Sequence, residues 1–471
     1  MTLMDTARGA YVRSPAPVRR SLAPLLALAP TRLKFGGTYR RWRERIARAN
    51  ADPGFALELH LAHLRALMQI AYGKSPFYKD LFDRHLGSRL DLSSVIPSDL
   101  LRLPVLRKED LRAAGDALLT VPKSKADFGD TSGSNGERPF TFYLDRDRSA
   151  REMAFVYDAW SRVGFREGMP KVVLRGFGLN SDGRRTTEWE PALRELRLSV
   201  YPMTPDDVGR YIDLIDRHGL TYLYGYPSAI ELMCRHMSRL GRSLRRPLKG
   251  ILPISEPLYP HQRALIAAVL GPVPIANFYG LSEKALFARE TDDAGTYAFD
   301  PLYGVAELVD SEGQPITEPG VEGRLVGTGL LTFASPFIRY DTEDRATLVE
   351  RPSDANGQRL KVRHITPRRK PDFLISSDRH RVVTIDFTPD SPRYFTGIEE
   401  YQFLQESVGK ATIRYVSSPG GTEDDARRVA LDLTTRTGGK IVFDIARVDK
   451  LACGRASKRA FIDQRLDISQ Y

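Results

Sequence analysis

Apolar residues recur at helical spacing through the early part of the chain, from Thr38 to about Ile70. Two later runs, Ser75-Pro76-Phe77-Tyr78 and Leu103-Pro104-Val105-Leu106, each contain a proline that stops the segment before it. Because the residue before a proline disfavours the α conformation, each run predicts a helix–turn–helix junction.

The pattern changes in the middle of the chain, where short apolar segments alternate with helical ones from Arg148 to about Leu270. Lys171 to Arg175 and Leu252 to Ile254 are such segments. Their alternation with helices predicts βα units and a mainly parallel sheet. From Tyr303 to Leu348, short strands separated by Gly and Pro turns predict an antiparallel, barrel-like appendage.

The last part of the chain carries a small α+β pattern. A basic, proline-punctuated linker runs from Ile365 to Pro371. Beyond it, residues 401–416 and 440–448 predict strands and residues 424–436 predict a helix. The predicted fold class is α/β, with a large N-terminal domain of mainly parallel sheets, the barrel-like β appendage and a small mobile α+β C-terminal domain. The predicted boundaries are an N-terminal extension, a large domain, a hinge linker and a small domain, at residues 1–34, 35–366, 367–371 and 372–471.

Composition limits the possible partners. With 471 residues, 42% apolar and 27% charged, the chain has the composition of an ordinary globular protein. Its net charge of +11 arises from 70 basic and 59 acidic residues that are mixed along the chain. Because no zinc finger, RNP-like motif or basic heptad helix accompanies this charge, we predict no nucleic-acid partner. The basic balance suits a polyanionic small molecule such as a nucleotide or CoA.

Cysteine usage and the N-terminus bear on location. The two cysteines, Cys234 and Cys453, argue against a disulfide scaffold and fit a reducing cytoplasm. The apolar run Leu22 to Ala29 contains a proline and is far shorter than the ~20 residues that cross a bilayer. No convincing cleavage site follows it. We therefore predict a cytoplasmic protein without a transmembrane segment, in which this run forms a short helix docked on the body.

Histidines offer one weak metal candidate. His60 and His63 stand three apart on a helical segment, which is a spacing that can clamp a metal ion. No third ligand accompanies them, so a metal role is not predicted here.

The stretch Thr131-Ser132-Gly133-Ser134-Asn135-Gly136-Glu137-Arg138-Pro139 is a candidate phosphate loop. Glycines let backbone N–H groups approach an anion, and the hydroxyls add donors. An ordinary surface turn of the same composition is the alternative. Four later segments favour the phosphate interpretation. Two of them, Asn277 to Glu283 and Arg339 to Asp344, each follow an apolar run. The others are the basic linker with Arg369 and Asp372, and the basic stretch Gly454 to Arg459.

The order and spacing of these segments resemble the adenylate-forming superfamily, which includes acyl-CoA synthetases, nonribosomal peptide adenylation domains and luciferase. Within it, the chain is most similar to the phenylacetate:CoA ligase and CapK-like branch. The resemblance covers about residues 35–465 and rests on five runs: Ser75-Pro76-Phe77-Tyr78, Leu103-Pro104-Val105-Leu106-Arg107-Lys108-Glu109-Asp110, Tyr224-Gly225-Tyr226-Pro227-Ser228, Tyr279-Gly280-Leu281-Ser282-Glu283 and Ser335-Pro336-Phe337-Ile338-Arg339-Tyr340.

The resemblance implies a reaction and a set of site residues. A carboxylate attacks the α-phosphate of ATP bound with Mg²⁺, giving an acyl-adenylate and pyrophosphate. The acyl group then passes to an acceptor, for which CoA is the leading candidate. The implied phosphate-binding residues are Thr131, Ser132, Gly133, Ser134, Asn135, Gly136 and Ser282. The implied adenine-binding residues are Ser255, Glu256, Pro257, Tyr279 and Gly280. The remaining roles are Asp344 and Arg369 for the ribose, Glu283 for Mg²⁺, Lys458 as the catalytic lysine, and Phe177, Tyr224, Tyr226 and Phe278 for the acyl pocket.

Ordinary structural interpretations stay open beside these roles. Tyr279 also fits a core position, Asp344 a turn cap, and Tyr224 and Tyr226 a layer packed behind the acyl pocket. Arg455 or Arg459 also competes with Lys458 for the lysine's place.

The chain also departs from the family pattern. No lysine follows Pro139 in the phosphate loop, and Glu343 replaces the glycine that usually precedes the ribose aspartate. Pro371 lies beside the expected pivot, where its fixed φ would stiffen a hinge, and the lysine motif reads Ala456-Ser457-Lys458. Two alternatives to CoA transfer follow. One is transfer to an amine or carrier-protein thiol in polysaccharide or natural-product biosynthesis, and the other is a non-catalytic nucleotide-binding relative.

Overall fold

The structure is a computed structural model that describes residues 31–87, 91–130, 140–175, 186–200, 203–366, 373–383, 397–418, 420–449, 451, 462–468 and 471. Its α-helices are α1 Thr31–Ala51, α2 Pro53–Lys74, α3 Pro76–His85, α4 Lys108–Ala114, α5 Arg148–Ser161, α6 Pro205–His218, α7 Pro227–Leu240, α8 Pro260–Leu270 and α9 Glu423–Arg436. Short 3-10 turns occupy Pro97–Arg102, Gly115–Leu118 and Lys123–Lys125.

Twenty strands accompany these helices in the described part of the chain. The strands of the first half are β1 Asp127–Asp130, β2 Thr141–Leu144, β3 Lys171–Leu174, β4 Thr187–Glu190, β5 Glu195–Leu198, β6 Tyr222–Gly225 and β7 Gly250–Pro253. Those of the next part are β8 Phe278–Gly280, β9 Phe287–Glu290, β10 Thr296–Phe299, β11 Gly304–Val309, β12 Glu322–Gly329, β13 Tyr340–Glu350 and β14 Lys361–Thr366. The last are β15 Phe373–Ile375, β16 Arg381–Val383, β17 Ile398–Ser407, β18 Lys410–Ser417, β19 Val442–Arg447 and β20 Ile462–Gln464.

The long helical segment near the N-terminus is two helices rather than one. Asp52 ends α1 and caps α2, where its side chain accepts a hydrogen bond from the backbone N–H of Phe55 at 3.0 Å. Pro53 takes the first position of α2, where a missing N–H is harmless. Helix α2 then runs on to Lys74, and the Ser75 hydroxyl caps α3 by accepting from the N–H of Tyr78 at 3.3 Å. The junction predicted at Pro76 is confirmed.

The βα units form a five-stranded sheet in the order β4-β5-β3-β6-β7. Strands β5, β3, β6 and β7 are parallel to one another, and β4 is an antiparallel edge strand. Side chains of β3 alternate between two cores: Val172 packs with α6 and α7, whereas Val173 packs with α5. Because both faces are covered, β3 is apolar along its whole length apart from Lys171.

A seven-stranded antiparallel sheet follows in the order β11-β12-β13-β14-β10-β9-β8. The barrel-like appendage predicted for residues 303–348 therefore begins earlier, at Phe278, and ends later, at Thr366. Residues 365 and 366, expected in the linker, belong to β14. The two sheets together confirm the α/β class. Helices cover the parallel sheet, and the antiparallel sheet packs around a separate hydrophobic core.

The C-terminal residues form a separate sheet in the order β19-β18-β17-β20, covered by α9. The predicted strands and helix of this part are therefore confirmed. Thr422 caps α9 through a capping box with Asp425, which is the sequence pattern that marks such a helix start. The hairpin β15-β16 is tied to β17 by Gln405, whose side-chain amide accepts from the N–H of Ile375 at 2.6 Å and donates to its carbonyl at 2.7 Å.

One buried arginine joins the N-terminal helices to the antiparallel sheet. Arg339, 2% exposed, donates to the carbonyl oxygens of Leu103 at 2.5 Å and Gly313 at 2.9 Å. It also pairs with Glu307 at 3.0 Å. Nearby, the Tyr78 hydroxyl donates to the carbonyl of Pro336 at 2.8 Å. These contacts fix the segment before α4 against the start of β13.

The paired histidines of α2 serve the core. His60 Nδ1 lies 2.7 Å from the carbonyl oxygen of Pro301, and the His63 ring packs on Trp42 with centroids 5.3 Å apart. Burial lowers the pKa of both, to about 4 for His63. Within the described part of the chain, no group of three or more His, Cys, Asp or Glu side chains is arranged to hold a metal ion. Over the same residues, every helix is too short or too polar to cross a membrane.

Candidate active site

A cavity of about 590 Å³ opens between the parallel sheet and the start of the antiparallel sheet. Its walls come from the carboxyl ends of β6 and β7, from β8, and from the beginning of β13. Ligands of α/β sheets commonly bind beyond the carboxyl ends of the strands. The sequence-predicted site residues that line this cavity are Tyr224, Ser255, Glu256, Pro257, Phe278, Tyr279, Gly280, Ser282, Glu283 and Asp344.

Tyr279 and Asp344 meet across the cavity wall. The Tyr279 hydroxyl donates to Asp344 Oδ2 at 2.6 Å. Strands β8 and β13 are four positions apart in the sheet order, about 19 Å in a flat sheet. The short contact therefore requires the sheet to curl on itself, as the barrel-like prediction implies. Burial, and then the adjacent Asp344 carboxylate, raise the pKa of Tyr279 well above its ordinary value, so its hydroxyl stays protonated and donates.

Glu283 is held in a similar way on the loop after β8. It is 7% exposed, and its Oε1 accepts a hydrogen bond from the Tyr340 hydroxyl at 2.8 Å. Burial, followed by the charge of Glu283, raises the pKa of Tyr340. Tyr340 begins β13 and is itself buried. A fixed carboxylate thus faces the cavity with one oxygen already oriented by a protein donor.

Glu256 lines the cavity, but its carboxylate is bound to a helix start. Its two oxygens accept from the backbone N–H and the hydroxyl of Ser228, each at 3.0 Å. Ser228 lies in the first turn of α7, where N–H groups need acceptors and a negative charge is favourable. Burial raises the pKa of Glu256 to about 7, against the lowering effect of Ser228. The preceding Ser255 has a left-handed φ of 68°.

The acyl-pocket candidates form an aromatic wall. Tyr224 is packed edge-on against Trp160 at 5.3 Å, and Phe278 stacks on Phe287 at 5.0 Å. Tyr226 is 7% exposed and contacts this wall through Arg175, whose guanidinium carbon lies 5.7 Å from its ring. The structure therefore brings Tyr224 and Phe278 to the cavity and places Tyr226 in the layer that supports it.

Sequence reasoning missed four charged residues of the cavity wall. Lys284 pairs with Glu152 of α5 at 2.6 Å, Lys108 lies 3.9 Å from Glu343, and Arg175 follows β3. Lys108 belongs to a run that carries the resemblance, so its position gave a signal. Arg175 stands at the end of a predicted strand, which by itself does not distinguish a cavity from solvent. Glu152 and Lys284 gave no signal in the sequence, because single charged residues on a helix or loop are usually solvated.

Glu343 explains part of the departure from the family pattern. Its φ is +65°, a left-handed conformation that favours glycine. The turn is held by the backbone N–H of Glu343, which donates to Asp341 Oδ1 at 2.8 Å. The next N–H, of Asp344, donates to Thr342 Oγ1 at 3.2 Å. The family glycine is thus conformationally justified here, although this chain places a glutamate at the position.

Several predicted site residues lie outside the described residues. They are Thr131, Ser132, Gly133, Ser134, Asn135 and Gly136 of the phosphate loop, Phe177, Arg369 and Lys458.

Comparison with known proteins gives two informative similarities, although no family model matches the chain. Protein CapK of Staphylococcus aureus is 24% identical over 392 residues, which is 82% of this chain and 84% of that protein. Among solved structures, 2-hydroxyisobutyryl-CoA ligase in complex with 2-HIB-AMP and CoA superposes with a TM-score of 0.53 at 18% identity. That alignment covers 88% of this chain and 90% of the ligase.

The structural similarity establishes the fold, and the CapK similarity agrees with the branch to which the motifs point. Four of the five runs on which the resemblance rests supply residues to the cavity wall. The fifth contacts the run around Pro336 through the Tyr78 hydroxyl. The chain therefore shares its fold with 2-hydroxyisobutyryl-CoA ligase and is similar in sequence to protein CapK.

Proposed function

We propose that the protein activates a carboxylic acid with ATP, releasing pyrophosphate and forming an acyl-adenylate, and then transfers the acyl group to the thiol of CoA. The observation that carries this proposal is the convergence of Tyr279, Asp344 and Glu283 on one cavity beside an aromatic wall. Tyr279 and Glu283 belong to one segment, whereas Asp344 stands 61 residues after Glu283. Each of the three has the chemistry that one part of ATP requires.

Asp344 is the proposed ribose ligand. A carboxylate can accept two hydrogen bonds from the two hydroxyls of a cis-diol. Asp344 is 9% exposed at the cavity, and the Tyr279 hydroxyl holds its Oδ2 at 2.6 Å. That bond orients the carboxylate before any ligand arrives, so less conformational freedom is lost on binding. The adenine would lie beside Tyr279 and the Ser255-Glu256-Pro257 segment.

Glu283 is the proposed protein ligand of Mg²⁺. Its carboxylate is the hard oxygen donor that this ion prefers, and Tyr340 fixes one of its oxygens. Mg²⁺ in nucleotide sites is commonly held by one or two carboxylates together with substrate phosphates. A single buried carboxylate therefore fits the ion here. When bound, the ion would neutralise negative charge on the phosphates.

In this reaction the main task of the protein is to position two anions, the substrate carboxylate and ATP. A carboxylate oxygen of the acid forms a bond to the α-phosphorus while the bond from that phosphorus to the bridging oxygen breaks, and pyrophosphate leaves. The CoA sulfur then attacks the acyl carbonyl carbon, its proton passes to solvent, and AMP leaves. Alignment of the reacting groups supplies much of the rate in such a step. Residues 131–136 and Ser282 are proposed to hold phosphates, and Arg369 the ribose.

Lys458 is proposed to bridge the α-phosphate and the carboxylate during adenylation. A compact ammonium on a flexible side chain suits a group that must contact two anions at once. We expect Lys458→Ala to reduce pyrophosphate release strongly while ATP binding is retained. Lys249→Ala, which changes an exposed lysine, is the matched control. An unchanged adenylation rate in Lys458→Ala would move the role to Arg455 or Arg459.

The deciding experiment measures pyrophosphate release over a panel of carboxylic acids with ATP and Mg²⁺, with mass spectrometry of the acyl-AMP. Adding CoA should then yield an acyl-CoA without any protein or amine partner. Acyl-AMP that accumulates unchanged in CoA, but is consumed by an amine or a carrier protein, would replace the proposed acceptor. ATP binding without pyrophosphate release across the panel would instead indicate a non-catalytic relative.

A further inference from the structure

Helix α7 begins without a cap of its own. Tyr226 occupies the N-cap position, and its side chain makes no capping hydrogen bond. The first helical residue is Pro227, which has no N–H. The N–H of Ser228 is therefore the first backbone donor of α7 that needs an acceptor. The neighbouring helix α6 is different, because the hydroxyl of its own Thr204 accepts from the N–H of Asp207 at 3.2 Å.

Glu256 supplies the missing cap from the segment after β7. One of its carboxylate oxygens accepts from the N–H of Ser228 and the other accepts from the Ser228 hydroxyl, each at 3.0 Å. The two residues are 28 positions apart, so this cap is not part of the local sequence pattern of the helix. An ionised acceptor makes a stronger hydrogen bond than a neutral one, and its charge is favourable at a helix N-terminus. The carboxylate therefore fixes the start of α7.

This contact joins two walls of the cavity. Tyr224 lines the cavity just before α7, and Ser255 and Pro257 line it after β7. The backbone ladder of β6 and β7 extends to the N–H of Ile254, which donates to the carbonyl oxygen of Gly225 at 3.1 Å. Beyond that hydrogen bond, the side-chain contact with α7 ties the acyl side of the cavity to the nucleotide side.

The backbone before Glu256 needs such a support. Ser255 has a φ of 68°, in the left-handed region that residues other than glycine rarely adopt. A residue in this region stays there because the surrounding structure holds it. Both carboxylate oxygens of the next residue, Glu256, are bound to Ser228. The turn at Ser255 is thereby fixed relative to the start of the helix.

We infer that Glu256 is a positioning residue for both substrates of the proposed reaction: by capping α7, it holds the acyl wall at Tyr224 and the adenine wall at Ser255 and Pro257 in a fixed relation. This inference deepens the proposed function and rests on it, since the two walls are those proposed for the acid and for ATP. Direct contact of Glu256 with adenine would instead act on ATP alone.

The test measures KM for ATP, KM for the acid and kcat of pyrophosphate release in variants of this contact. The acid is whichever of benzoic, phenylacetic, hexanoic and 2-hydroxyisobutyric acids the unmodified protein uses best. Glu256→Ala should raise both KM values by about tenfold or more, as expected when hydrogen bonds to a charged group are lost. Glu256→Gln keeps an oxygen acceptor and should stay within about threefold of the unmodified protein.

Ser228→Ala tests whether Glu256 acts through α7. It removes the hydroxyl but keeps the N–H donor, so both KM values should rise by about threefold. Combined with Glu256→Ala, it should add nothing to the effect of Glu256→Ala alone, because both substitutions remove the same contact. If Glu256→Ala does not fold, Ser228→Ala and Glu256→Gln carry the same comparison of the two KM values.

Two further variants separate positioning from other roles. Thr204→Ala removes the cap of α6, outside the cavity wall, and should lower Tm without changing either KM. Asp344→Ala should raise KM for ATP and leave KM for the acid unchanged. A Glu256→Ala variant that behaves like either of these two would overturn the inference and leave the proposed function standing. Additive losses in the double variant would overturn it as well.

Calorimetry with ATP and the same four acids keeps the inference testable if no acid yields pyrophosphate. Parallel weakening of ATP and acid binding in Glu256→Ala would then support the positioning role and refute the proposed reaction. Absence of binding of both ATP and acids by the unmodified protein would refute both.

Discussion

Glu343 offers a test of the structure that does not depend on the proposed reaction. Its backbone has φ +65°, and a left-handed conformation costs an ordinary L-residue about 1–2 kcal/mol. The perturbation is a pair of variants, Glu343→Gly and Glu343→Ala. Both remove the side chain and its contact with Lys108, but only glycine removes the backbone strain.

The expected difference between the two variants follows from two opposing effects. Glycine relieves about 1–2 kcal/mol of strain, but it makes the unfolded chain more flexible, which lowers stability by about 0.4–1 kcal/mol relative to alanine. The Lys108 pair, at 3.9 Å, is absent from both variants and cancels. We therefore expect Glu343→Gly to be about 1 kcal/mol more stable than Glu343→Ala. In a strand or helix of ordinary φ the order would be reversed.

Urea unfolding followed by tryptophan fluorescence measures this difference, with thermal melting as a second readout. For a protein of this size, about 1 kcal/mol corresponds to a shift of about 1–2 °C in Tm. A Glu343→Gly variant that is no more stable than Glu343→Ala would refute the left-handed turn before Asp344.

Three further predictions address the site, the acid response and the packing. Asp344→Ala should weaken ATP binding by about 10–100-fold, because hydrogen bonds to a charged acceptor are lost; unchanged affinity in calorimetry would exclude it from the ribose site. The unfolded pKa of His63 is 6.5 and its folded pKa is about 4. The unfolded chain therefore binds more protons below pH 6.5, and stability falls as pH drops toward 4. This one residue accounts for roughly 2 kcal/mol at pH 5, and urea titrations of His63→Gln should show a correspondingly smaller loss; an equal loss would contradict the buried placement. Gly225→Ala should lower the unfolding free energy by at least about 3 kcal/mol, because its Cβ would lie 2.4 Å from the Leu174 carbonyl oxygen. In contrast, Gly209→Ala within α6, whose nearest neighbouring atom is 3.5 Å away, should raise it by about 0.5–1 kcal/mol. A similar response to both substitutions would contradict the described packing of β3 against β6.

Local sequence patterns predicted the elements whose causes are local. Residues 424–436 were predicted as a helix from their pattern, and α9 is found there. The same logic, applied to Asp52 and Pro53, would have divided the first long helix, since an N-cap residue followed by proline is a start signal. The extent of the antiparallel sheet was not accessible in this way. Strand β10 pairs with β14, which lies more than sixty residues away, and no local pattern specifies such a pairing.

The site residues divide in the same way, into features that sequence reasoning identified and features that only the structure shows. Tyr279, Asp344 and Glu283 were identified through resemblance, and the structure adds contacts that resemblance did not contain, such as the Tyr340 bond to Glu283. Arg175 was passed over because an arginine after an apolar strand has the same sequence appearance whether it faces solvent or a cavity. Only the packing of neighbouring strand ends distinguishes the two cases.

The contacts of Arg339 have a consequence for how the chain is made. Arg339 binds a carbonyl oxygen that is 236 residues earlier in the chain. At synthesis rates of 5–20 residues per second, that interval corresponds to roughly 10–50 s. During this time the segment around Leu103 already exists, but Arg339, which will bind it, has not yet been synthesised. The packing of the segment around Leu103 against the antiparallel sheet is thus completed late in translation.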